Sequence, residues 1–376
     1  MAKKDWMVKE SELDDIQILV FQEILDKSLI VSGCAGSGKS VLALLKAERI
    51  QTENKGSYNV IVYTRSLCSY MNAGKKDVKL SGNFMYYEEW RYKRGPKHYA
   101  NGKTYIVYLR DDSGNKIPNM PQADYVIVDE IQDFTREEIL EFVASAKKQF
   151  IFLGDTNQSI FNSLKAYNGG TVAVEKIPQI VRREKIKTFE LLYNHRLPKP
   201  VAKIVHEMDG IDVGPYIDKV YTSNENADPR IIKFDSFEEQ LDCILRLLKR
   251  NNDIGILLPT NKSIKIVSDF LNRNGINHEL KYEDEEDWKK NIDNLDFKTD
   301  NPKLLTYHSA KGLQFGTVIL PDYYNMDFRN INALYVAMTR TYRNLYILYS
   351  GILPKPLLSV SSNLYKTTES DQVEDI

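Results

Sequence analysis

The stretch GCAGSGKS, Gly33 to Ser40, constrains this chain more than any other. It fits G-x-x-x-x-G-K-[ST] at every fixed position, after the apolar run Leu29–Val31 and before the helix-like LALLKAERI. Glycines at Gly33, Gly36 and Gly38, interleaved with Cys34, Ala35 and Ser37, let the backbone wrap phosphate oxygens with its N–H groups turned inward. The helix N-terminus that follows adds its dipole. Lys39 is placed to reach the β- and γ-phosphates, and Ser40 to hold Mg²⁺.

A second stretch, YVIVDEIQDF, Tyr125 to Phe134, runs four apolar or aromatic residues into Asp129 and Glu130. A strand this apolar is buried on both faces, and adjacent carboxylates at its end repel each other. The phosphate site supplies the reason. Asp129 fits the Mg²⁺ shell, and Glu130 fits the orientation or deprotonation of an attacking water. A third strand, FIFLGD, leads into TNQSIF. There Gln158 could touch the γ-phosphate and the incoming water.

Short apolar strands alternate with helical patterns through SLIVSG, NVIVYT, YVIVDE and QFIFLGD, the rhythm of a parallel α/β sheet. A second such rhythm begins near Lys187 with TFELLYN and continues through DIGILLPT, KLLTYH, TVILPD and LYILYS. The expected plan is a first α/β domain in two parts, 1–66 and 122–184, interrupted by a small insertion, 67–121. A second domain, 185–360, follows, then a polar, acidic tail, 361–376, expected to be disordered.

Composition narrows the class. The 376 residues are 42% hydrophobic and 27% charged, with a net charge of −1, so no global basic field announces nucleic acid. A locally basic groove remains open, and EEWRYKRGPKHY in the insertion suits a strand-tracking patch or an exposed hairpin with half-buried aromatics. Cys34, Cys68 and Cys243 form neither a disulfide framework nor a zinc pattern, which suits a reducing, cytoplasmic setting. No run of 18 apolar residues suggests a membrane span, and MAKKDW lacks the apolar core of a signal peptide.

Several stretches together resemble the UvrD/Rep-type helicases of superfamily 1, over about residues 13 to 350 and in that family's motif order. VIVDEIQD is similar to DE-x-Q-D, GDTNQSIF to GD-x-x-QSIY, and LLYNHRLP to N-Y-R-S. TYHSAKGLQF resembles T-x-H-S-x-KG-L-E-F, and LYVAMTRTYRNL resembles Y-V-x-x-TR. The resemblance implies two tandem RecA-like P-loop domains with parallel sheets, ATP and Mg²⁺ as cofactors, and single-stranded DNA as partner. It makes Gln17, in LDDIQ, the residue that reads adenine. His195 and Gln314 take nucleotide-contacting positions. Arg196 and Arg340 become the cations for the transferring phosphate, a role that suits a rigid, permanently charged guanidinium. Tyr63, Thr64, Arg65, Phe84, His308 and Ser309 become candidate strand contacts. Gln132 and Asp133 are implied to couple nucleotide to DNA.

The chain departs from the family pattern at Ser163, where a base-stacking tryptophan is expected. Further departures are His195 for a tyrosine, Val41 for an arginine and Gln314 for a glutamate. Between Gly275 and Thr306, where relatives carry a large insertion, only residues 276–305 intervene, including the acidic EDEED. The chain reads as a reduced motor core: an ATP-dependent single-stranded DNA translocase or helicase. An alternative is a DNA- or nucleotide-sensing regulatory ATPase in a repair or anti-phage defence complex, acting on a protein effector such as a nuclease. A small-molecule kinase would use GCAGSGKS but leave HSAKG and VAMTR without a purpose.

Overall fold

A computed structural model describes residues 10–77, 79–93, 97–100, 103–106, 108–110, 116–118, 120–161, 165, 169–181, 185–208, 229–284, 286–322 and 331–369. Two compact units divide the chain. The first comprises residues 1–33 and 38–192; the second comprises 34–37 and 193–376.

In the first unit, helix α1 (Asp15–Gln22) leads to strand β1 (Ser28–Gly33), α2 (Lys39–Thr52), β2 (Tyr58–Val62), α3 (Arg65–Asp77) and β3 (Asn83–Tyr86). Two short hairpins follow, β4 (Lys97–Ala100) with β5 (Lys103–Ile106), and β6 (Tyr108–Arg110) with β7 (Lys116–Pro118). The sheet then resumes with β8 (Ala123–Val128), α4 (Arg136–Ser145), β9 (Ala146–Gly154), the single turn α5 (Ile177–Ile180) and β10 (Ile186–Leu191). Its order is β10-β1-β9-β8-β2-β3, parallel throughout. All strand C-termini therefore share one edge, the usual place for a ligand in such sheets.

Two boundaries differ from the sequence expectation. Strand β10, within TFELLYN, pairs with β1 from Ser28↔Ile186 to Gly33↔Leu191, so the first unit runs to Leu192 rather than 184. Likewise β3 pairs with β2 in the first sheet and α3 connects the two, so neither belongs to the insertion, which contracts to the hairpin region after Tyr86. Trp90 is not part of a strand-tracking patch. It is fully buried, donates its indole N–H to Pro121 O at 3.2 Å, and packs on Phe142 with ring centroids 4.9 Å apart. Arg91 beside it pairs with Glu141 at 2.8 Å. The core of this unit gathers Val126, Val128, Phe134, Phe142, Phe150 and Phe152.

In the second unit, α6 (Lys199–Glu207) is followed by β11 (Arg230–Phe234), α7 (Phe237–Arg250), β12 (Ile254–Leu258) and α8 (Asn261–Arg273). Next come β13 (Glu279–Tyr282), β14 (Ile292–Asp293), β15 (Lys303–Thr306), β16 (Phe315–Leu320) and α9 (Ile331–Met338). The chain closes with β17 (Thr341–Ser350), the single turn α10 (Lys355–Leu358) and β18 (Lys366–Glu369). The order is β14-β13-β15-β12-β16-β17-β11-β18, and only the two-residue β14 runs antiparallel to its neighbour. The segment 276–305 thus folds as an edge addition, secured by the buried pair Glu279–Lys303 at 2.9 Å. The expected disordered tail is corrected in part: β18 adds to β11 as a parallel edge strand, because its backbone groups complete that ladder. Residues 370–376 lie outside the described residues. Among the described residues, no helix is long and apolar enough to cross a membrane.

Candidate nucleotide site

The P-loop joins β1 to α2 where the sequence places it. Lys39, buried, donates from Nζ to Gly33 O at 2.8 Å. Gly38 has φ +84°, and a Cβ there would lie 2.4 Å from Gln17 Nε2. Only glycine meets both demands. Gln17 is held on α1 by a capping box: Asp14 Oδ1 accepts from Gln17 N at 2.8 Å, and Gln17 Oε1 accepts from Asp14 N at 3.1 Å. Further along, Lys46 Nζ donates to Phe21 O and Glu23 O at the end of α1, at 3.0 and 2.7 Å. The helix bearing Gln17 is therefore pinned at both ends.

At the start of α2, Ser40 Oγ donates to Oδ2 of Asp129, just past the end of β8, at 2.5 Å. Burial, then the adjacent Glu130, pushes the Asp129 carboxyl up to about 6, while Ser40 and Lys39 oppose the shift. Two crowded acids and a hydroxyl form a hard-oxygen donor set, and this fits a Mg²⁺ ion. Glu130 sits in left-handed backbone, φ 60° and ψ 42°, and is 5% exposed. A non-glycine residue there costs about 1–3 kcal/mol, and such positions cluster where chemistry fixes a side chain.

Gln132 ties this corner together. Its Nε2 donates to Glu130 Oε2 at 2.5 Å, and its Oε1 accepts from Asp155 N at 3.0 Å. Gly154 makes room, since a Cβ on it would lie 2.5 Å from Gln132 Oε1 and 2.8 Å from Ile131 Cγ2. Asp155, held above the usual carboxylate range by burial, accepts from Gln158 Nε2 at 2.7 Å and from Asn157 N at 3.0 Å. A chain of contacts thus runs Glu130–Gln132–Asp155–Gln158. Asp133 does not cap α4; Thr135 does, in a capping box with Glu138. The substitution Gln132→Leu removes both amide contacts. It is expected to lower unfolding free energy by about 1–3 kcal/mol, read from urea denaturation, and an unchanged midpoint would contradict the linkage.

The second unit holds the remaining motif residues. Asn194, which sequence reasoning passed over, donates to Ala35 O at 2.6 Å and accepts from Arg196 N and Leu197 N at 3.0 and 2.8 Å. The signal was an asparagine opening a turn before proline, N-H-R-L-P. His195 N donates to Gly36 O at 3.0 Å. Arg196 Nη2 donates to Thr339 O at 2.8 Å. Arg340 is 2% exposed at the end of α9. Gln314 is half-buried between the TYHSAKG turn and β16.

The strand candidates divide by exposure. Arg65 is exposed, with its guanidinium 5.0 Å from the Tyr86 ring centroid. Thr64 Oγ1 accepts from Leu67 N at 3.2 Å, opening α3. Tyr63 is half-buried: it stacks on Phe161 at 4.3 Å, and Lys165 Nζ lies 4.7 Å from its centroid. Phe84 is corrected as a stacking platform, because it is only 5% exposed in β3, with Lys75 Nζ 5.1 Å from its ring centroid. Burial, then Lys311, holds His308 below its ordinary value, and Ser309 N donates to Thr306 Oγ1 at 3.2 Å. Ser163 lies outside the described residues.

Comparison with known proteins agrees with this layout. Residues 17–163 match the AAA domain family model, and residues 303–348 match the UvrD-like helicase C-terminal domain. The "Putative ATP-dependent DNA helicase R568" of Acanthamoeba polyphaga mimivirus is 25% identical over 303 residues, 70% of this chain and 40% of that protein. The chain thus spans 40% of the length of this curated relative. Two solved structures are also similar. The C-terminal domain of a possible DNA helicase from Lactobacillus plantarum WCFS1 has TM-score 0.36 and 17% identity, over 46% of this chain and 98% of that one. Arterivirus nonstructural protein 10 (helicase) has TM-score 0.40 and 15% identity, over 89% of this chain and 61% of that one. The first family model covers the P-loop and both acidic strand ends, and the second covers TYHSAKGLQF and LYVAMTR, in the family's order. That order, those strand ends and the mimiviral relative together support a likeness of this chain to the UvrD/Rep-like helicases.

Proposed function

We propose that the chain is an ATPase that moves along single-stranded DNA. The observation that carries this reading is the corner formed by Lys39, Ser40, Asp129 and Glu130 at the shared strand edge, with Ser40 Oγ 2.5 Å from Asp129 Oδ2. The backbone of Gly33–Gly38 and the Lys39 ammonium bind the phosphates. Ser40 and Asp129 would hold Mg²⁺, which when bound neutralises charge on the β- and γ-phosphates. Glu130 accepts a proton from water as the water oxygen bonds to the γ-phosphorus and the bond to the bridging oxygen breaks, giving ADP and phosphate. Gln158 orients that water. Gln17, His195 and Gln314 contact the nucleoside, and Arg196 and Arg340 supply positive charge to the transferring group.

For the strand, Arg65 and Thr64 supply polar and cationic contacts to phosphate, with Tyr63, His308 and Ser309 as further contacts. Removal of streptavidin from a biotinylated single-stranded oligonucleotide tests the movement. ATP-dependent removal is expected, with loss at high salt as phosphate contacts are screened. ATP hydrolysis without displacement at low salt would sink the translocase reading and leave a DNA-sensing ATPase.

A further inference from the structure

The end of α9 carries a closed set of hydrogen bonds. Arg340 Nε donates to Val336 O at 2.8 Å, and Arg340 Nη2 donates to Thr339 Oγ1 at 3.1 Å. Thr339 Oγ1 in turn donates to the same Val336 O at 3.0 Å. A hydroxyl has one proton to give, so once it is committed to Val336 O the oxygen faces Arg340 as an acceptor. Two nitrogens of one planar group are thereby fixed against two oxygens of one helix turn, which determines the plane of the guanidinium. The helix C-terminus also favours a cation at this place. Thr339 is fully buried and Arg340 is 2% exposed, so water does not compete for these contacts.

A second arginine meets the same residue. Arg196 Nη2 donates to the main-chain oxygen of Thr339 at 2.8 Å. Its own turn is held by Asn194, whose Oδ1 accepts from Arg196 N. One threonine therefore touches both cations, one through its hydroxyl and one through its carbonyl. The bond to Val336 O keeps the hydroxyl on Arg340.

We infer that Thr339 is the positioning residue that sets the two arginines as a pair, rather than a residue of the helix core alone. The inference rests on the reading that these arginines act in hydrolysis. Its prediction separates from a packing role because it concerns turnover, not nucleotide affinity. Thr339→Val should lower kcat for ATP roughly tenfold, about the effect of one misplaced charge-assisted contact, with KM within about twofold of wild type. Thr339→Ser keeps the hydroxyl and should restore turnover to within about twofold of wild type. In an Arg340→Ala background, Thr339→Val should add no further loss, since residues acting through one another are non-additive.

The experiment is steady-state ATP hydrolysis with single-stranded DNA present, on these variants of the full chain, with melting temperature as the folding control. Thr339→Ala replaces the valine variant if that one fails to fold. Wild-type kcat in the hydroxyl-free variant would overturn the inference. So would an equal loss in Thr339→Ser, or a full additional loss in the Arg340→Ala background. Wild-type turnover in Arg340→Ala itself would instead overturn the underlying role of the arginine.

Discussion

Replacing Lys39 with alanine is expected to abolish ATP hydrolysis. The ammonium is the one flexible cation the P-loop offers to the β- and γ-phosphates, and it acts where charge accumulates during transfer. Removing such a donor from a water-poor site costs a factor of about 10²–10³ in turnover. Phosphate binding weakens as well, so the combined loss should reach the background of a phosphate-release assay. Stability should change little. Lys39 Nζ donates to Gly33 O, and the strand beneath is held by ladders on both sides. A melting temperature close to wild type, with hydrolysis absent, is the expected pair of results. Hydrolysis within tenfold of wild type would show that the phosphates bind elsewhere.

Glu130→Gln should separate binding from chemistry. The amide is nearly isosteric and can still accept from Gln132 Nε2, so the corner keeps its shape. It cannot take a proton from water at neutral pH. General-base contributions run to about 10²–10⁴-fold, so turnover should fall by at least about a hundredfold. Equilibrium binding of ATP, followed with a fluorescent analogue, should stay within a few-fold of wild type. Parallel loss of affinity and turnover would mean that Glu130 shapes the pocket rather than activates water.

Much of the site was legible because its residues are local in sequence. The P-loop, the DE pair and the GD turn each end an apolar strand, and strand ends on one edge of a parallel sheet meet in space. What the sequence did not disclose depends on distant partners. Strand β10 is mostly exposed or half-buried before its buried last residue, Leu191, and nothing in IKTFEL says that β1 is its neighbour. The β18 segment KTTE is polar and reads as tail, yet it needs only its backbone to join β11. In NFMY, Phe84 and Tyr86 share one face of the strand, but Phe84 is buried while Tyr86, at the C-terminal end of β3, carries Arg65 over its ring. Composition could not separate them; depth along the strand did. Asn194 looked like an ordinary polar loop residue, and Gln132 drew notice only through its place in the family motif. Their weight comes from Asp155, Ala35 and Arg196, which the fold brings to them.

The central claim is that this corner hydrolyses ATP when a strand is bound. Its most direct test is phosphate release from γ-labelled ATP by the intact chain, with and without single-stranded DNA. Release that rises on adding DNA and vanishes in Lys39→Ala is the predicted result. Release no greater than in Lys39→Ala, with DNA and Mg²⁺ both supplied, would contradict the account.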